Sequence, residues 1–299
     1  MASKESDYLR ALYQNWMDRM TANPEMGLDD MRALFDEWGK PTMEPENVSY
    51  KNENIAGINA IWALPADSDR SEILIYTHGG GFAVGSADSH RKLAAHVAKA
   101  LGATALVLDY RLAPEHPFPA QIDDATAVYK ELLSRGFKPE NITTIGDSAG
   151  GNLAISSVMK FRELGLPLPK AVIAFSPWLD MELNGASLEH NEATDALVKR
   201  PVLEAMVGMF LGEDGKANDP LANPLYADFT AYPALYICAG SVETLVDDSR
   251  RLHSIASDAG VDSTLSVVDD MQHVFPFLAG RAAEADAEIQ RISEWYANL

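Results

Sequence analysis

The chain has 299 residues, 47% of them hydrophobic, and its 44 acidic and 24 basic side chains give a formal net charge of −20. This length and apolar content are typical of one globular α/β domain with insertions, and the negative charge argues against nucleic acid as a partner because phosphates would be repelled. The polar first residues lack the apolar segment of a signal peptide, and no apolar run is long enough to span a membrane, so a cytoplasmic location is expected.

Two amphipathic helices are predicted before the first strand. Apolar residues recur at three- and four-residue intervals over residues 5–22 and again over residues 27–38. These helices could cover a site, contact a partner or simply pack on the core, and we assign residues 1–46 to an N-terminal cap. Their methionine and tryptophan side chains would suit a homodimer or a mobile cap.

The first strands lead to a run of glycines. Residues 48–50 and 58–64 are predicted as an antiparallel pair with a polar turn at residues 52–54. The apolar run 73–77 is typical of a strand buried on both faces, and it ends in His-Gly-Gly-Gly-Phe at residues 78–82. Three glycines would let main-chain N–H groups approach a substrate oxygen, as acyl transfer requires. A phosphate-binding loop is disfavoured because the Gly-Lys-Ser/Thr ending of that motif is missing.

A proline-rich segment at residues 109–119 follows the next strand, residues 105–108. Its three prolines preclude a regular helix. We expect Arg111 and Glu115 to form an ion pair that fixes this loop, and we interpret the segment as structural and not catalytic.

Strands and helices alternate from residue 73 to residue 297, which predicts a mostly parallel sheet with helices on both faces. Cys238 lies inside one of the apolar runs and is expected to be a buried packing residue. Residues 178–232 break the alternation and are predicted to be a cap insertion, which leaves residues 47–177 and 233–299 as the core. The remaining strands are predicted at 142–145, 171–176, 234–239 and 263–268, and the helices at 88–101, 120–135, 153–164, 201–211, 247–259 and 281–297.

Ser148 is the candidate nucleophile because it lies in Gly146-Asp147-Ser148-Ala149-Gly150, between a predicted strand and a predicted helix. In that context the G-x-S-x-G pattern is typical of a nucleophile elbow, a tight turn that exposes the serine hydroxyl. The free N–H groups of the following helix would favour a developing oxyanion.

A serine hydroxyl needs a base, and histidine is the usual one. In this architecture the order along the chain is serine, acid, histidine. His273 follows the last strand in a loop, where sites form in open α/β sheets, whereas His190 lies in the insertion and His253 inside a predicted helix. The other histidines are expected to be surface or packing residues.

The acid should follow the preceding strand, where Glu243, Asp247 and Asp248 offer carboxylates. Glu243 is nearest the strand end and is the preferred partner of His273. Asp247 is the alternative, although it and Asp248 suit the first turn of a helix, where the helix dipole favours acids.

The chain resembles the hormone-sensitive-lipase-like esterases, the bacterial family IV of the α/β-hydrolase superfamily. The resemblance lies in segments in family order and spacing between about residue 73 and residue 277, namely 78–82, 109–115, 146–152, 176–178 and 273–275. It implies an α/β-hydrolase fold with an eight-stranded sheet, an antiparallel second strand, and a cap built from the N-terminal helices and the insertion.

The same resemblance implies roles for particular residues. Ser148 would be the nucleophile and His273 the base, with the N–H groups of Gly80, Gly81 and Ala149 forming the oxyanion hole. The resemblance also implies that His78 supports the oxyanion loop. No metal or cofactor is implied. The family usually has Asp-Pro-Leu where this chain has Glu-Thr-Leu at residues 243–245.

The resemblance implies an esterase acting on small to medium apolar esters, and it leaves the substrate open. Glu243 and the loop Met-Gln-His at residues 271–273 are similar to those of monoterpene ε-lactone hydrolases and of enzymes that open larger lactones such as zearalenone. Lactones are therefore an alternative to linear esters. A non-catalytic ligand receptor and an amidase or peptidase are the rival classes.

Overall fold

The structure is a computed structural model that describes residues 2–299, and within that range eight strands form a single sheet. The strands are β1 (Val48–Ile55), β2 (Ile58–Pro65), β3 (Ile73–Thr77), β4 (Thr104–Asp109), β5 (Ile142–Asp147), β6 (Ala171–Phe175), β7 (Ala234–Gly240) and β8 (Ser263–Val268). Their order across the sheet is β1-β2-β4-β3-β5-β6-β7-β8. Strand β2 is antiparallel to β1 and β4, and the other neighbours are parallel, as expected.

Helices cover both faces of this sheet. The helices are α1 (Asp7–Ala22), α2 (Leu28–Phe35), α3 (Ala87–Ala100), α4 (Ala120–Ser134), α5 (Ala149–Glu163), α6 (Ser187–His190), α7 (Arg200–Leu211), α8 (Val246–Asp258) and α9 (Ala283–Tyr296). Helix α3 packs against α9 on one face of the sheet, and α4 packs against α5 on the other. Every residue of β3, β5 and β6 is buried. This burial explains the near-continuous apolar sequences of β3 and β6, because each strand is covered on two sides.

The parallel strands bring the loops that follow them to one edge of the sheet. Strands β3, β5, β6, β7 and β8 run parallel, so their carboxyl ends meet at one edge of the sheet. In open α/β sheets this edge is where ligands bind. Cys238 lies within β7 and is fully buried, as expected of a packing residue.

The predicted turn at residues 52–54 is wrong. Strand β1 continues to Ile55, which pairs with Ile58, so that the turn is Ala56-Gly57. Both turn residues have positive φ, 52° and 88°. A two-residue hairpin with this backbone matches the twist of its strands, and the polar side chains before it face solvent along an edge strand.

The predicted Arg111–Glu115 ion pair is also wrong. Arg111 instead binds Asp124 of α4, with Nη2 2.6 Å from Oδ1. Glu115 accepts two hydrogen bonds of 2.7 Å from Arg32 of α2. Arg32 lies 83 residues from Glu115 and Asp124 lies 13 residues from Arg111, whereas sequence proximity within the loop favoured the incorrect pair.

The N-terminal segment (residues 2–46) and the insertion (residues 178–232) lie against the edge where the carboxyl ends of the strands meet. Phe210 of α7 stacks on Phe82, 3.8 Å between ring centroids. The hydroxyl of Ser3 donates to Glu284 Oε2 over 2.7 Å, which ties the start of the chain to α9. Among residues 2–299 no helix is both long and apolar enough to cross a bilayer.

Candidate active site

Ser148 lies in a sharp turn between β5 and α5. Its backbone has φ 52° and ψ −122°, a conformation that costs energy for a residue with a side chain. A Cβ on Gly146 or Gly150 would overlap main-chain atoms of the elbow and of β3, which explains why both flanking positions are glycine. The Ser148 N–H donates to Phe175 O over 2.8 Å, so that the neighbouring strand holds the turn.

His273 approaches Ser148 from the loop after β8. Its Nε2 lies 3.0 Å from Ser148 Oγ, within hydrogen-bond distance. The imidazole is buried, with 2% of the residue exposed. His190 and His253 are not part of this arrangement, since His190 is at the end of α6 and His253 bonds Ser263 from α8.

Glu243, and not Asp247, is the carboxylate that the structure places beside His273. Glu243 Oε2 lies 3.4 Å from His273 Nδ1, and Glu243 is fully buried. Asp247 turns away and accepts hydrogen bonds from Ser187 N and Arg250 Nη1. Burial alone would lower the pKa of His273, but the Glu243 carboxylate outweighs it, and the pKa is raised above its ordinary value.

The glycine run bends sharply just after β3. Gly80 and Gly81 have φ of 113° and 60°, in the region that favours glycine. A Cβ on Gly80 would overlap Val84 O, and one on Gly81 would come 2.7 Å from the sulfur of Met206. Within residues 2–299, the N–H groups of Gly80, Gly81 and Ala149 have no protein acceptor.

His78 lies buried beneath this loop. Its ring stacks on Tyr110 with 4.3 Å between centroids, and its Nδ1 lies 2.8 Å from Gly79 O. Tyr110 donates to His78 O over 2.6 Å. Burial lowers the pKa of His78 to about 3, and the nearby His90 acts in the same direction. The ring is therefore neutral at physiological pH and serves as a packing group.

Asp147 is a buried carboxylate that sequence reasoning overlooked. Its Oδ1 accepts hydrogen bonds from Tyr76 Oη at 2.7 Å and from Gly79 N at 3.2 Å, and its Oδ2 lies 3.4 Å from His90 Nε2. Burial would raise the pKa of Asp147, but His90 and the hydrogen bonds hold it below its ordinary value. Asp147 thus links the elbow to the glycine loop. Its place beside Ser148 in the motif was the available signal.

Ser176 was also overlooked as part of the site. Its hydroxyl donates to Glu243 Oε2 over 2.7 Å and accepts from Val274 N over 3.0 Å. Ser176 therefore fixes both the acid and the loop that carries His273. The signal was a serine at the carboxyl end of β6, the strand next to the nucleophile strand.

An apolar pocket opens beside Ser148 and His273. Met20, Phe35 and Trp38 line it from the N-terminal segment. Six residues of the insertion line it as well, namely Trp178, Leu197, Val198, Val202, Leu203 and Met206. Among its lining residues only His273 has an ionisable side chain. Within residues 2–299 no group of three or more histidine, cysteine or acidic side chains is placed to hold a metal ion.

Comparison with known proteins shows the family to which the chain belongs. A family model described as the alpha/beta hydrolase fold matches residues 74–277. An acetyl-hydrolase of Streptomyces hygroscopicus is 38% identical over 279 residues, covering 92% of this chain and 90% of that protein. The carboxylesterase NlhH of Mycobacterium tuberculosis is 32% identical over 256 residues, covering 81% and 79%.

Solved structures extend the likeness to the whole chain. An esterase from the bacterial hormone-sensitive lipase family superposes with a TM-score of 0.94 at 36% identity, covering 99% of this chain and 98% of that one. The chain therefore belongs to the α/β-hydrolase fold family, and it is a carboxylic ester hydrolase of the hormone-sensitive-lipase-like group.

Proposed function

We propose that the protein hydrolyses small, uncharged esters through a covalent acyl-enzyme on Ser148. The observation that carries the proposal is the distance of 3.0 Å between Ser148 Oγ and His273 Nε2, with Glu243 on the far side of the imidazole. His273 Nε2 takes the hydroxyl proton while Oγ attacks the ester carbonyl carbon. Glu243 holds the imidazole in the required orientation and stabilises the imidazolium that forms.

The N–H groups of Gly80, Gly81 and Ala149 are the proposed oxyanion hole. They have no protein acceptor in the described part of the chain, and Gly80 and Gly81 line the same pocket as Ser148, which Ala149 directly follows. Such donors stabilise the negative oxygen of the tetrahedral intermediate. In this proposal His78 supports the loop from below, by stacking on Tyr110 and packing under the glycines.

The remaining steps return the enzyme to its starting state. His273 gives its proton to the leaving alkoxide, and the C–O bond of the ester breaks. Water then enters, His273 takes one of its protons, and the hydroxide attacks the acyl carbon. The acid leaves when Ser148 Oγ regains a proton from His273.

We propose that the N-terminal segment and the insertion form a cap that limits substrate size. The pocket has a free volume of about 60 Å³, enough for a few water molecules. Its apolar lining disfavours charged acyl groups, because a buried charge needs a partner. We therefore expect acetyl and butyryl esters to react faster than octanoyl esters.

Lactones remain the alternative substrates. Gln272, part of the loop that resembles lactone hydrolases, accepts from Ala196 N and donates to Thr194 O. The Gln272 side chain thus binds main-chain groups of the insertion, and this contact gives no reason to prefer lactones to linear esters. A cytoplasmic location and a homodimer likewise stay predictions from the sequence.

The decisive experiment compares p-nitrophenyl acetate, butyrate and octanoate with ε-caprolactone and a macrocyclic lactone. Ser148→Ala should lower kcat by on the order of 10⁴-fold or more on every substrate. The matched control is Ser157→Ala, which removes a buried, unpaired hydroxyl from the same helix and should leave kcat unchanged. Turnover by Ser148→Ala would refute the mechanism, and a lactone preferred to every linear ester would overturn the substrate assignment.

A further inference from the structure

The peptide group between His273 and Val274 is held at both of its polar ends. The carbonyl of His273 accepts a hydrogen bond from the hydroxyl of Tyr13, with 3.0 Å between the oxygens. The N–H of Val274 donates to Ser176 Oγ, also over 3.0 Å. One anchor comes from the core and the other from α1 of the N-terminal segment.

This peptide needs holding because its backbone is strained. Val274 has φ 50° and ψ 46°, the left-handed conformation. A β-branched residue rarely adopts it, since Cβ crowds the neighbouring carbonyl oxygen. Such a conformation persists only where its surroundings enforce it. If an anchor is lost, the peptide can rotate toward a relaxed conformation, and the His273 ring attached to it turns away from Ser148.

Tyr13 is well placed to be that anchor. Its side chain is fully buried, and Trp38 Nε1 lies 3.4 Å from its hydroxyl oxygen as a donor. Burial raises the pKa of Tyr13 well above its ordinary value, so the hydroxyl keeps its proton. With Trp38 donating to the oxygen, the single phenolic proton is directed to the His273 carbonyl.

We propose that Tyr13 is a positioning residue that holds the His273–Val274 peptide, so that the N-terminal segment completes the geometry of the base. This inference rests on the proposed function, in which His273 is the base. It gives α1 a role in the chemical step in addition to covering the pocket. Tyr13 itself touches no reacting atom.

The test is Tyr13→Phe in the full chain, which removes one oxygen and keeps the ring that fills the buried space. With p-nitrophenyl butyrate we expect kcat to fall about 10- to 100-fold, as for a small misplacement of a reacting group. KM should change less than about twofold. The rate at which a small phosphonate modifies Ser148 should fall in parallel with kcat, because that reaction needs the same base.

Two controls separate positioning from general loosening of the segment. Tyr8→Phe removes a hydroxyl from a partly exposed tyrosine of the same helix, whose ring lies against Arg281. Ser3→Ala removes the hydroxyl that binds Glu284 and so weakens the attachment of the segment without touching the histidine loop. Both should keep kcat within about twofold of wild type.

The outcomes are distinct. The final extent of phosphonate labelling gives the fraction of molecules with a competent active site. The kcat of a partly folded Tyr13→Phe preparation is divided by this fraction. An unchanged kcat in Tyr13→Phe overturns the inference, as does an equal loss in Ser3→Ala. If His273→Ala retains turnover, the proposed function itself has failed. If His273→Ala is inactive and Tyr13→Phe is normal, only the role of Tyr13 is lost.

Discussion

A serine at the end of the neighbouring strand holds Glu243, the proposed acid, in place. The same oxygen that faces His273 Nδ1 accepts a hydrogen bond from Ser176 Oγ. A glutamate has one more rotatable bond than an aspartate, so an additional contact is needed to fix its carboxylate. Ser176 supplies that contact through a hydrogen bond of 2.7 Å, which fits the proposal that the longer acid serves here.

The pH dependence of activity should depend on Glu243. The base must be neutral to accept a proton, so kcat/KM of the wild type falls as pH drops through the raised pKa of His273. Glu243→Gln removes the negative charge that raises the pKa of His273 most, so that burial, which lowers this pKa, is opposed only by the smaller effects of Asp195 and Asp147. We expect the acid limb of the kcat/KM profile to move to lower pH, and the plateau to fall by about 10²- to 10⁴-fold.

Asp247→Asn is the matched control for that profile. Asp247 lies four residues away, and its carboxylate binds Ser187 N and Arg250 instead of His273. The acid limb should therefore stay where it is in wild type. A shift in Asp247→Asn with none in Glu243→Gln would show that the acid has been assigned to the wrong residue.

Among the elements, α2 is fastened to the loops around the site by a single guanidinium group. Arg32 Nε donates to Ala83 O over 3.0 Å, and Nη2 donates to Ala113 O over 3.2 Å. The same group binds both oxygens of Glu115. Because Ala83 directly follows the glycine loop and Phe82, Arg32 joins the N-terminal segment to the proposed oxyanion loop.

Arg32→Gln should measurably loosen this attachment. The two carbonyl bonds contribute about 1 kcal/mol each, and the half-exposed pair with Glu115 adds up to about 1 kcal/mol. We expect the free energy of unfolding in urea to fall by about 1–3 kcal/mol and KM to rise. Arg19→Gln breaks one ion pair with Glu37 in the same segment, made by a guanidinium that is more exposed than that of Arg32, and it should cost less than about 1 kcal/mol. Equal losses in the two variants would contradict the assignment.

The sequence was informative where chemistry depends on residues close together in the chain. The elbow around Ser148, the glycines after β3 and the loop position of His273 all follow from local pattern and strand order. The contacts of Ser176, Asp147 and Arg32 were not predicted because their partners are distant in the chain. Ser176 contacts residues 67 and 98 positions away. Tyr76 lies 71 residues from Asp147, and Glu115 lies 83 residues from Arg32. Only the folded sheet brings such residues together, so the local signals at Asp147 and Ser176 could not identify their partners.

For the whole molecule, Asp248 makes stability depend on pH. This carboxylate at the start of α8 is buried and accepts hydrogen bonds from Leu179 N at 2.8 Å and Asp180 N at 3.0 Å. Burial raises its pKa to about 7. It thus joins the beginning of the insertion to the core through a group that prefers to be neutral.

The sign of the effect follows from that shift. A carboxyl whose pKa is raised on folding stabilises the fold fully below its unfolded value of about 3.9, and the contribution is lost as pH rises through about 7. Asp248→Asn mimics the neutral form at all pH values. The free energy of unfolding of this variant minus that of wild type should therefore increase by a few kcal/mol from pH 5 to pH 8. A difference that stays constant across urea titrations at pH 5, 6, 7 and 8 would contradict the prediction.

The contact between Tyr13 and His273 spans 260 residues, and that separation governs the order of assembly during synthesis. A ribosome adding 5–20 residues per second needs roughly 15–50 s to make the intervening chain. Tyr13 on the buried face of α1 is therefore made long before the histidine loop that it contacts, whereas Trp16 on the same face packs against Phe35 and Trp38, which follow it closely in the chain. We therefore expect the contact between Tyr13 and His273 to form late in assembly, and the newly made enzyme to reach its full kcat only after this contact has formed.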